Sequence, residues 1–567
     1  MNRPGVLLSL SLACIVCMAF SPRLHAQQAN SLFRPVIPRT WDDAPIQTLE
    51  VPLAHAQASP VHVRLAAATL VFLVAGIGRP QDSGVTFHPS IPKTWVDAEI
   101  ASLEVPLADP AGSPKHVSAE YYYRIPVRPI YKSYPIYAPG HEPAGYMDWL
   151  KQQEPVMVWG DADRPALQSE ADWIKAGEIV FDAPLGYSPL PSSSELQTWF
   201  QYVRPLETNS GTVPFFRFVV RKKGQVEVGT DACAVCHTRV MPDRSIVKGA
   251  QGNFPFDLSF ALLRIRAAAL AAKNTEGLRA FLRMLFAVPW LHPDPQDRLQ
   301  QMSIDELVTL YEGIPPGVND RHRTSPLYPV QVPDLIGVKD RRYLDRTGLQ
   351  QHRSVADLMR YAALNQGADN LASYAGFVPA GFPNFQKLPN PNNVGGRYSD
   401  EQLYALALYL YSLQPPRNLN KFDLVAARGQ KVFEREGCPS CHTPPLYTNN
   451  KLTPANGFTI PADHLKKYDV LPISVGTDPN LTLKTRRGTG YYKVPSLKGV
   501  WYRSMFEHNG SVATLEDWFD PRRLRDDYIP TGFKGYGLKT RAVKGHEFGF
   551  QLSANDKAAL IAFLKTL

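Results

Sequence analysis

The sequence has little cysteine, no long run of basic residues and no apolar stretch as long as a membrane span. Only six cysteines occur in 567 residues, and the formal net charge is +9. The densest basic stretch, Arg522-Arg523-Leu524-Arg525, is flanked by Asp520, Asp526 and Asp527. The basic surplus is therefore diffuse, which argues against nucleic acid as a partner and suits an acidic partner protein. The chain is long enough for two to four domains.

The N-terminus has the features of an export signal. The apolar run Val6–Phe20 precedes Leu24-His25-Ala26, which is typical of a signal-peptidase site. We therefore predict a signal peptide at residues 1–26. Cys14 and Cys17 lie inside the apolar run. Removal of the signal leaves four cysteines in the chain.

A direct repeat follows the signal. Phe33–Val63 and Phe87–Val117 are identical at 19 of 31 positions. An apolar run precedes each copy, and the second run, Leu65–Ile77, is shorter than the roughly 20 residues of a membrane span. We interpret residues 64–80 as a duplicated signal or the start of the functional chain, with an internal membrane anchor as the less favoured alternative. Whether residues 1–63 belong to the functional protein stays open.

All four remaining cysteines belong to two copies of one motif, Cys233-Ala-Val-Cys236-His237 and Cys438-Pro-Ser-Cys441-His442. Two cysteines separated by two residues and followed by histidine are typical of c-type haem attachment. The thiols add to the haem vinyl groups, and the adjacent imidazole binds the iron as proximal ligand. The sequence thus predicts two covalently bound haem c groups. Such attachment occurs outside the bacterial cytoplasmic membrane, which agrees with a periplasmic or secreted protein.

The cysteine pairs have two alternative interpretations. Each pair is half of a zinc-ribbon ligand set, and the two pairs would then meet at one zinc ion across about two hundred residues. A redox-active disulfide within each pair is the second alternative. Neither explains why a histidine follows both pairs.

Two amphipathic helices define the predicted domains. Residues 399–413 and 553–567 have the same length and the same apolar stripe, and each closes a stretch that contains a haem motif. We expect two cytochrome c-like haem domains, residues 231–416 and 417–567. Residues 81–230, rich in tyrosine, proline and β-forming residues, are predicted to form an irregular, β-rich extension. It would shield haem edges or, less favoured, bind substrate or a partner. The predicted fold class is mainly α.

Local signals specify several elements within these segments. Phe215–Val220 and Gln225–Val228 flank a turn signal and predict a β-hairpin. Ser303, Ser354 and Ser399 are each followed three residues later by Glu, Asp or Gln, which predicts a capping box at the start of a helix.

Four stretches in the second half carry a resemblance to a known family: Val494–Val500, Phe506–Ser511, Thr514–Asp517 and Gly545–Gly549. They resemble the bacterial dihaem cytochrome c peroxidase family, including its quinone-cofactor maturase and rubber oxygenase branches. The resemblance is clear from about residue 421 to 567, faint over 330–415 and absent before 230. The long tyrosine-rich extension is more similar to the rubber oxygenase branch than to the compact peroxidases.

The resemblance implies an iron ligand at His546. The family has the distal ligand of the C-terminal haem at this position, so His442 and His546 would form a bis-histidine pair. Met505 is the rival ligand, because simple cytochromes have a methionine about this far beyond the haem motif. His508 matches a family histidine that lies near the haem without binding iron; it is a weaker ligand candidate and a candidate catalytic residue.

The chain departs from the family in three respects. Leu344 stands where peroxidases have a tryptophan between the haems, and Tyr343 beside it is a candidate catalytic relay or an ordinary packed tyrosine. No upstream asparagine matches the family's calcium ligand, which argues against an inter-haem calcium ion. The first haem has no family-supported distal ligand, and His292, His322 and His352 are the candidates.

These observations predict an exported dihaem c-type oxidoreductase. The bis-histidine haem would transfer electrons, and the haem on His237 would react with peroxide or dioxygen. Its partner would be a redox protein or a small oxidant. An electron-transfer cytochrome without substrate turnover is the first alternative, and a scaffold protein with structural haems is the second.

Overall fold

The structure is a computed structural model that describes residues 87–160, 163–266, 275–320, 324–379 and 396–567. The predicted signal peptide, its duplicate at residues 64–80, the first copy of the repeat and His322 lie outside the described residues. None of the described helices is both long and apolar enough to cross a bilayer.

The prediction of a mainly α fold is wrong. Helices account for 35% of the described residues and strands for 14%, so the fold is mixed α/β. The 51 prolines explain much of the difference, because each fixes φ and removes a backbone donor that a helix interior needs. Many loops also turn at glycines with positive φ.

Eight helices of nine or more residues are described: α1 (Glu170–Asp182), α2 (Ser193–Val203), α3 (Thr275–Phe286), α4 (Ile304–Glu312), α5 (Val355–Asn365), α6 (Asp400–Ser412), α7 (Leu424–Arg435) and α8 (Ala554–Lys565). Ser303 and Ser399 form the predicted capping boxes at α4 and α6. The prediction for Ser354 is wrong, because its side chain makes no cap bond at α5.

The described strands form one four-stranded antiparallel sheet and several two-stranded pairs. The sheet contains β1 (Ser133–Tyr137), β2 (Gly186–Pro189), β3 (Thr212–Lys222) and β4 (Gln225–Thr230) in the order β1-β3-β4-β2. β3 and β4 are the predicted hairpin, in which Lys222 pairs with Gln225 across a two-residue turn. The chain leaves β4 only three residues before Cys233, so the sheet positions the first haem motif.

A close crossing of α7 and α8 holds the second motif in place. A Cβ atom on Gly429 would lie 1.9 Å from the carbonyl oxygen of Ala559 and 2.8 Å from Cβ of Phe563. The two helix backbones therefore touch, and only glycine fits between them. Because α7 ends at Arg435, this contact also positions the motif that begins at Cys438.

The same crossing occurs between α1 and α6. A Cβ atom on Gly177 would lie 2.0 Å from the carbonyl oxygen of Ala405 and 2.7 Å from Cβ of Tyr409. Both glycines belong to a Gly-x-x-Val-Phe sequence, at residues 177–181 and 429–433. Helix α1 lies in the predicted β-rich extension, yet it packs on α6 as α7 packs on α8.

The Gly429→Ala variant tests this crossing. Alanine is the better helix former by roughly 0.5–1 kcal/mol, but its methyl group would overlap a carbonyl oxygen and force the helices apart. We expect a net loss of about 1–3 kcal/mol in unfolding free energy, measured by denaturant titration. The matched control is Lys431→Ala, at an exposed position of the same helix. A Gly429→Ala variant as stable as the wild type would show that the helices do not cross this closely.

Candidate haem sites

The second motif begins directly where α7 ends. Gly437, at φ 73°, reverses the chain after the helix, and Cys438–Ser440 form a 3-10 turn. The amide of His442 donates to the carbonyl of Cys438 at 2.9 Å, which fixes the histidine one turn beyond the first cysteine. Both cysteines and the histidine of the motif thereby line one cavity.

The cavity beside His442, here called the histidine cavity, has a volume of about 220 Å³. Much of its wall is apolar and comes from α7, α8 and the loops between them, including Phe433, Val500, Phe506, Leu515 and Leu560. An apolar cavity with a few polar groups is typical of a cofactor site.

Two imidazole rings face each other across this cavity. The ring centroids of His442 and His546 are 6.3 Å apart. Metal–imidazole bonds are about 2.0–2.1 Å long and a ring nitrogen lies roughly 1.1 Å from the centroid, so a metal bound linearly by two imidazoles separates the centroids by about 6.3 Å. The observed separation therefore fits one iron atom between the two rings.

Both rings have the protonation state that binds a metal. Burial lowers the pKa of His442 to about 4, and burial together with the charge of His442 lowers the pKa of His546 to about 4. Both imidazoles are neutral at physiological pH, the form that ligates iron. Nδ1 of His442 donates to the carbonyl of Tyr447 at 3.2 Å, which leaves Nε2 as the ligating atom. Within the described part of the chain, the buried Nδ1 of His546 has no hydrogen-bond partner, which is unusual for a buried polar atom.

A buried arginine holds the loop that carries His546. Arg523 donates to the carbonyls of Val543 at 2.6 Å, Gly545 at 2.8 Å and His546 at 2.7 Å. The amide of His546 donates to the carbonyl of Val475 at 2.7 Å. These bonds stabilise the left-handed backbone of His546, whose φ is 51°. Arg523 belongs to a basic stretch that was predicted to contribute to a diffuse surface charge, but its side chain is fully buried.

The rival ligand Met505 does not lie at this cavity. It is absent from the described residues that line the cavity and packs instead against a separate apolar cluster, which contains Ile314, Val318 and Phe533. A methionine in that position cannot compete with His546 for the iron without movement of the loop.

His508 lines the histidine cavity beside the His442–His546 pair. Its Nδ1 donates to a carboxylate oxygen of Glu507 at 3.1 Å, and its ring packs against the Tyr492 ring at a tilt of 35°, with 4.6 Å between centroids. Burial alone would raise the pKa of Glu507, but the bond to His508 and the charge of Arg523 lower it below its usual value. His508 is thus an oriented imidazole near the cofactor cavity, whose role as catalytic residue stays a prediction.

Sequence reasoning missed Trp518. Its ring meets the His546 ring edge-on, with 5.0 Å between centroids, and lines the histidine cavity. The family-like stretch Thr514–Asp517 ends one residue before it. A spacing of three residues in the short helix Leu515–Trp518 brings Leu515 and Trp518 to one face, and both side chains line the cavity. The spacing of Leu515 and Trp518 could therefore have indicated from the sequence that Trp518 lies at the site.

The first motif folds as one short helix, Cys233–His237, after β4. The side-chain amide of Gln366 lies 3.8 Å from the sulfur of Cys233, and that of Asn319 lies 3.6 Å from the sulfur of Cys236. Both are within reach of a weak hydrogen bond to sulfur. Two amides from distant parts of the chain therefore converge on the two thiols.

The zinc alternative for the cysteine pairs is not supported. Among the described residues, which include all four motif cysteines, no group of three or more Cys, His, Asp or Glu is placed to hold a metal ion. None of the four cysteines forms a disulfide either. The arrangement leaves each pair with its own adjacent histidine, as haem attachment requires.

His292 and His352, the two described candidates for the distal ligand of the first haem, have different surroundings. His292 is exposed. His352 has both ring nitrogens in hydrogen bonds of 2.7 Å, Nδ1 to the carbonyl of Arg341 and Nε2 to the hydroxyl of Tyr411. Burial lowers the pKa of His352, so the neutral ring acts as a link between α6 and the loop at Arg341.

Tyr343 lies outside the histidine cavity. Its hydroxyl accepts a hydrogen bond of 2.9 Å from the amide of Asp469, and its ring packs with Val105, Leu452 and Tyr491. Burial raises the pKa of Tyr343. It lines a second cavity that is described below, and its proposed role as an aromatic relay stays a prediction.

Comparisons with known proteins establish no family. No family model matches the chain. An uncharacterized protein, y4iJ, of Sinorhizobium fredii is 35% identical over 106 residues, covering 13% of this chain and 18% of that protein. The match thus spans less than a fifth of the relative's length.

Two solved structures show weak similarity. Hydrazine synthase of Kuenenia stuttgartiensis is 16% identical and covers 52% of this chain and 88% of its own, with a TM-score of 0.26. A MauG-like protein associated with microbial copper homeostasis is 22% identical and covers 30% and 56%, with a TM-score of 0.19. At these scores neither similarity bears on the function of this chain.

Proposed function

We propose that this protein is an exported dihaem c-type oxidoreductase that works in the periplasm or outside the cell. The observation that carries the proposal is the pair His442–His546, whose ring centroids are 6.3 Å apart, a separation that would let both imidazoles bind one iron. The adjacent cysteines of the motif line the same cavity and would attach the cofactor covalently. The first motif offers the same ligand chemistry on His237.

The two sites would have different tasks. His442 and His546 would both hold the iron of the C-terminal haem, which suits electron transfer rather than substrate binding. His237 would be the proximal ligand of the N-terminal haem, where peroxide or dioxygen would bind. The haem supplies the redox chemistry, and the chain attaches it, orients its ligands and encloses it in an apolar wall.

The reaction we favour is peroxide reduction. One peroxide molecule takes two electrons and two protons and yields two water molecules. A reduced partner protein would supply the electrons through the C-terminal haem, and the diffuse positive charge of the chain suits an acidic partner. Activation of dioxygen at the same site is the alternative within this class.

A second candidate is an electron carrier without substrate turnover. The two histidine ligands proposed for the C-terminal haem favour an electron carrier, because such a haem can transfer electrons without binding a substrate. Under this alternative both haems would cycle between two redox states and neither would consume peroxide.

The test begins with haem content. We expect the purified protein to carry two haems that resist acid-acetone extraction, and its intact mass to exceed that of the mature chain by two haem groups. Cyanide or nitric oxide should bind one haem of the two. A mass with a single haem, or haem that extracts, would disprove the dihaem proposal, and equal binding of cyanide at both haems would disprove the division of tasks.

A further inference from the structure

Three basic side chains separate the histidine cavity from a second cavity. Arg346, Lys493 and Arg503, here called the shared wall, line both the histidine cavity and a neighbouring cavity of about 590 Å³. The second cavity, here called the basic cleft, is also lined by Lys339, Arg341 and Lys498. Its only acidic lining residues in the described part of the chain are Asp334 and Asp340.

The charges of the shared wall are poorly compensated within the protein. The buried Nε of Arg346 has no hydrogen-bond partner among the described residues. Asp345 beside it is occupied, because its carboxylate is paired with Arg487. Nε of Arg503 lies 4.0 Å from the carboxylate of Asp334, at the limit of an ion pair. An unpaired cation in an enclosed site is costly unless an anion joins it.

Burial and, after it, neighbouring positive charges disfavour the charged forms of Arg346 and Lys493. Burial, followed by the charges of Arg503 and Arg341, lowers the pKa of Arg346 to about 9. Burial and the charges of Arg341 and Arg346 also lower the pKa of Lys493 well below its usual value. Nζ of Lys493 has a neutral acceptor, the carbonyl of Tyr343 at 3.3 Å. A nearby anion would reverse these shifts.

We propose that the shared wall is a carboxylate-binding site that receives the two carboxylates of the haem in the histidine cavity. The inference rests on the proposed function. Haem has its two carboxylates on the edge away from the vinyl groups, and an apolar cavity offers them little solvation. The three wall residues are the only Lys or Arg side chains among the described residues that line the histidine cavity. Arginine is well suited to this task, because its planar fork matches a carboxylate.

The wall would also remove the need for a metal ion. Fixed cations can neutralise the haem carboxylates directly and would repel a divalent cation from the same place. We therefore expect no calcium requirement at this site. A free carboxylate that enters through the basic cleft has the same chemistry and is the alternative source of the anion.

The test measures the reduction potential of the low-spin haem in the holoprotein. Removal of a positive charge disfavours the added electron, so Arg346→Met and Arg503→Met should lower the potential. We expect each substitution to lower the equilibrium constant for haem reduction about tenfold, which corresponds to a potential lower by about 59 mV for a one-electron couple. Arg346→Lys keeps the charge and should stay near wild type. The matched control is Lys498→Met, an exposed residue that lines only the basic cleft. Treatment with EGTA should leave the wild-type potential unchanged.

Calorimetric titration with succinate distinguishes the two sources. No saturable binding to the wild type, together with shifted potentials, supports the haem carboxylates. Succinate binding that Arg346→Met abolishes, with unshifted potentials, assigns the same site to a free carboxylate. A wild type that binds no succinate, together with variants that keep the potential of the Lys498→Met control, would overturn the inference. Because those variants would still contain two haems with a low-spin signal, that outcome leaves the proposed function standing, whereas loss of covalent haem in the wild type would refute the function itself.

Discussion

The His546→Gly variant is expected to lose the low-spin bis-histidine signal in its electron paramagnetic resonance spectrum and to gain a high-spin signal. Glycine removes the His546 imidazole, so His442 would be the only ligand that the protein supplies to the iron. The backbone should tolerate the change, because His546 already has a positive φ of 51°, which glycine adopts freely. Exogenous imidazole should restore the low-spin signal.

Three further variants separate His546 from its rivals. His546→Met should keep six ligands and raise the reduction potential, as histidine–methionine ligation does in cytochromes c. Met505→Leu and His508→Gln should both retain the low-spin signal. Met505 packs in a cluster apart from the cavity, and His508 is already engaged with Glu507. If His546→Gly left the signal intact while Met505→Leu removed it, the ligand assignment would be wrong.

Local signals in the sequence predicted much of what positions the second site. The capping box at Ser399 and the helix over residues 553–567 depend on neighbouring residues, and both are present in the structure. The position of His546 had no such local signal. It came from resemblance alone, because the ring reaches the cavity through a left-handed loop tied to Val475 and Arg523.

Helix α1, which packs on α6, was not predicted, because it lies far from the first haem motif in the sequence. Helix α7 ends three residues before Cys438, but α1 ends at Asp182, far upstream of Cys233. The hairpin β3–β4 lies in this interval. The Gly-x-x-Val-Phe sequence that α1 and α7 share can be recognised in the sequence. The helix that each glycine contacts cannot, because a tertiary contact does not follow from spacing along the chain.

The sequence also did not indicate which single basic residues are buried. Arg522 and Arg525 are exposed and pair with nearby aspartates, whereas Arg523 between them is fully buried. The three residues of the shared wall come from two regions more than a hundred residues apart. Their convergence depends on strand pairing, since Leu452–Pro454 pairs with Tyr491–Lys493 and the amide of Lys493 donates to the carbonyl of Arg346.

The largest expected loss of activity follows from removal of one haem at a time. A variant with Cys233→Ser and Cys236→Ser should retain one covalent haem with the low-spin signal and should lose peroxide turnover and cyanide binding. The physical reason is that His442 and His546 would occupy both axial positions of the haem that remains. The measurements are haem stoichiometry, cyanide titration and peroxide consumption with a chemical electron donor.

The reciprocal variant is the matched control, because it removes the same number of thiols from the other motif. With Cys438→Ser and Cys441→Ser, the remaining haem on His237 should still bind cyanide, while turnover driven by a partner protein should fall. A small chemical donor that reaches the N-terminal haem directly should restore part of the turnover. Peroxide consumption that survives loss of the first motif and disappears with the second would reverse the assignment, and the reactive iron would then be the one near His442.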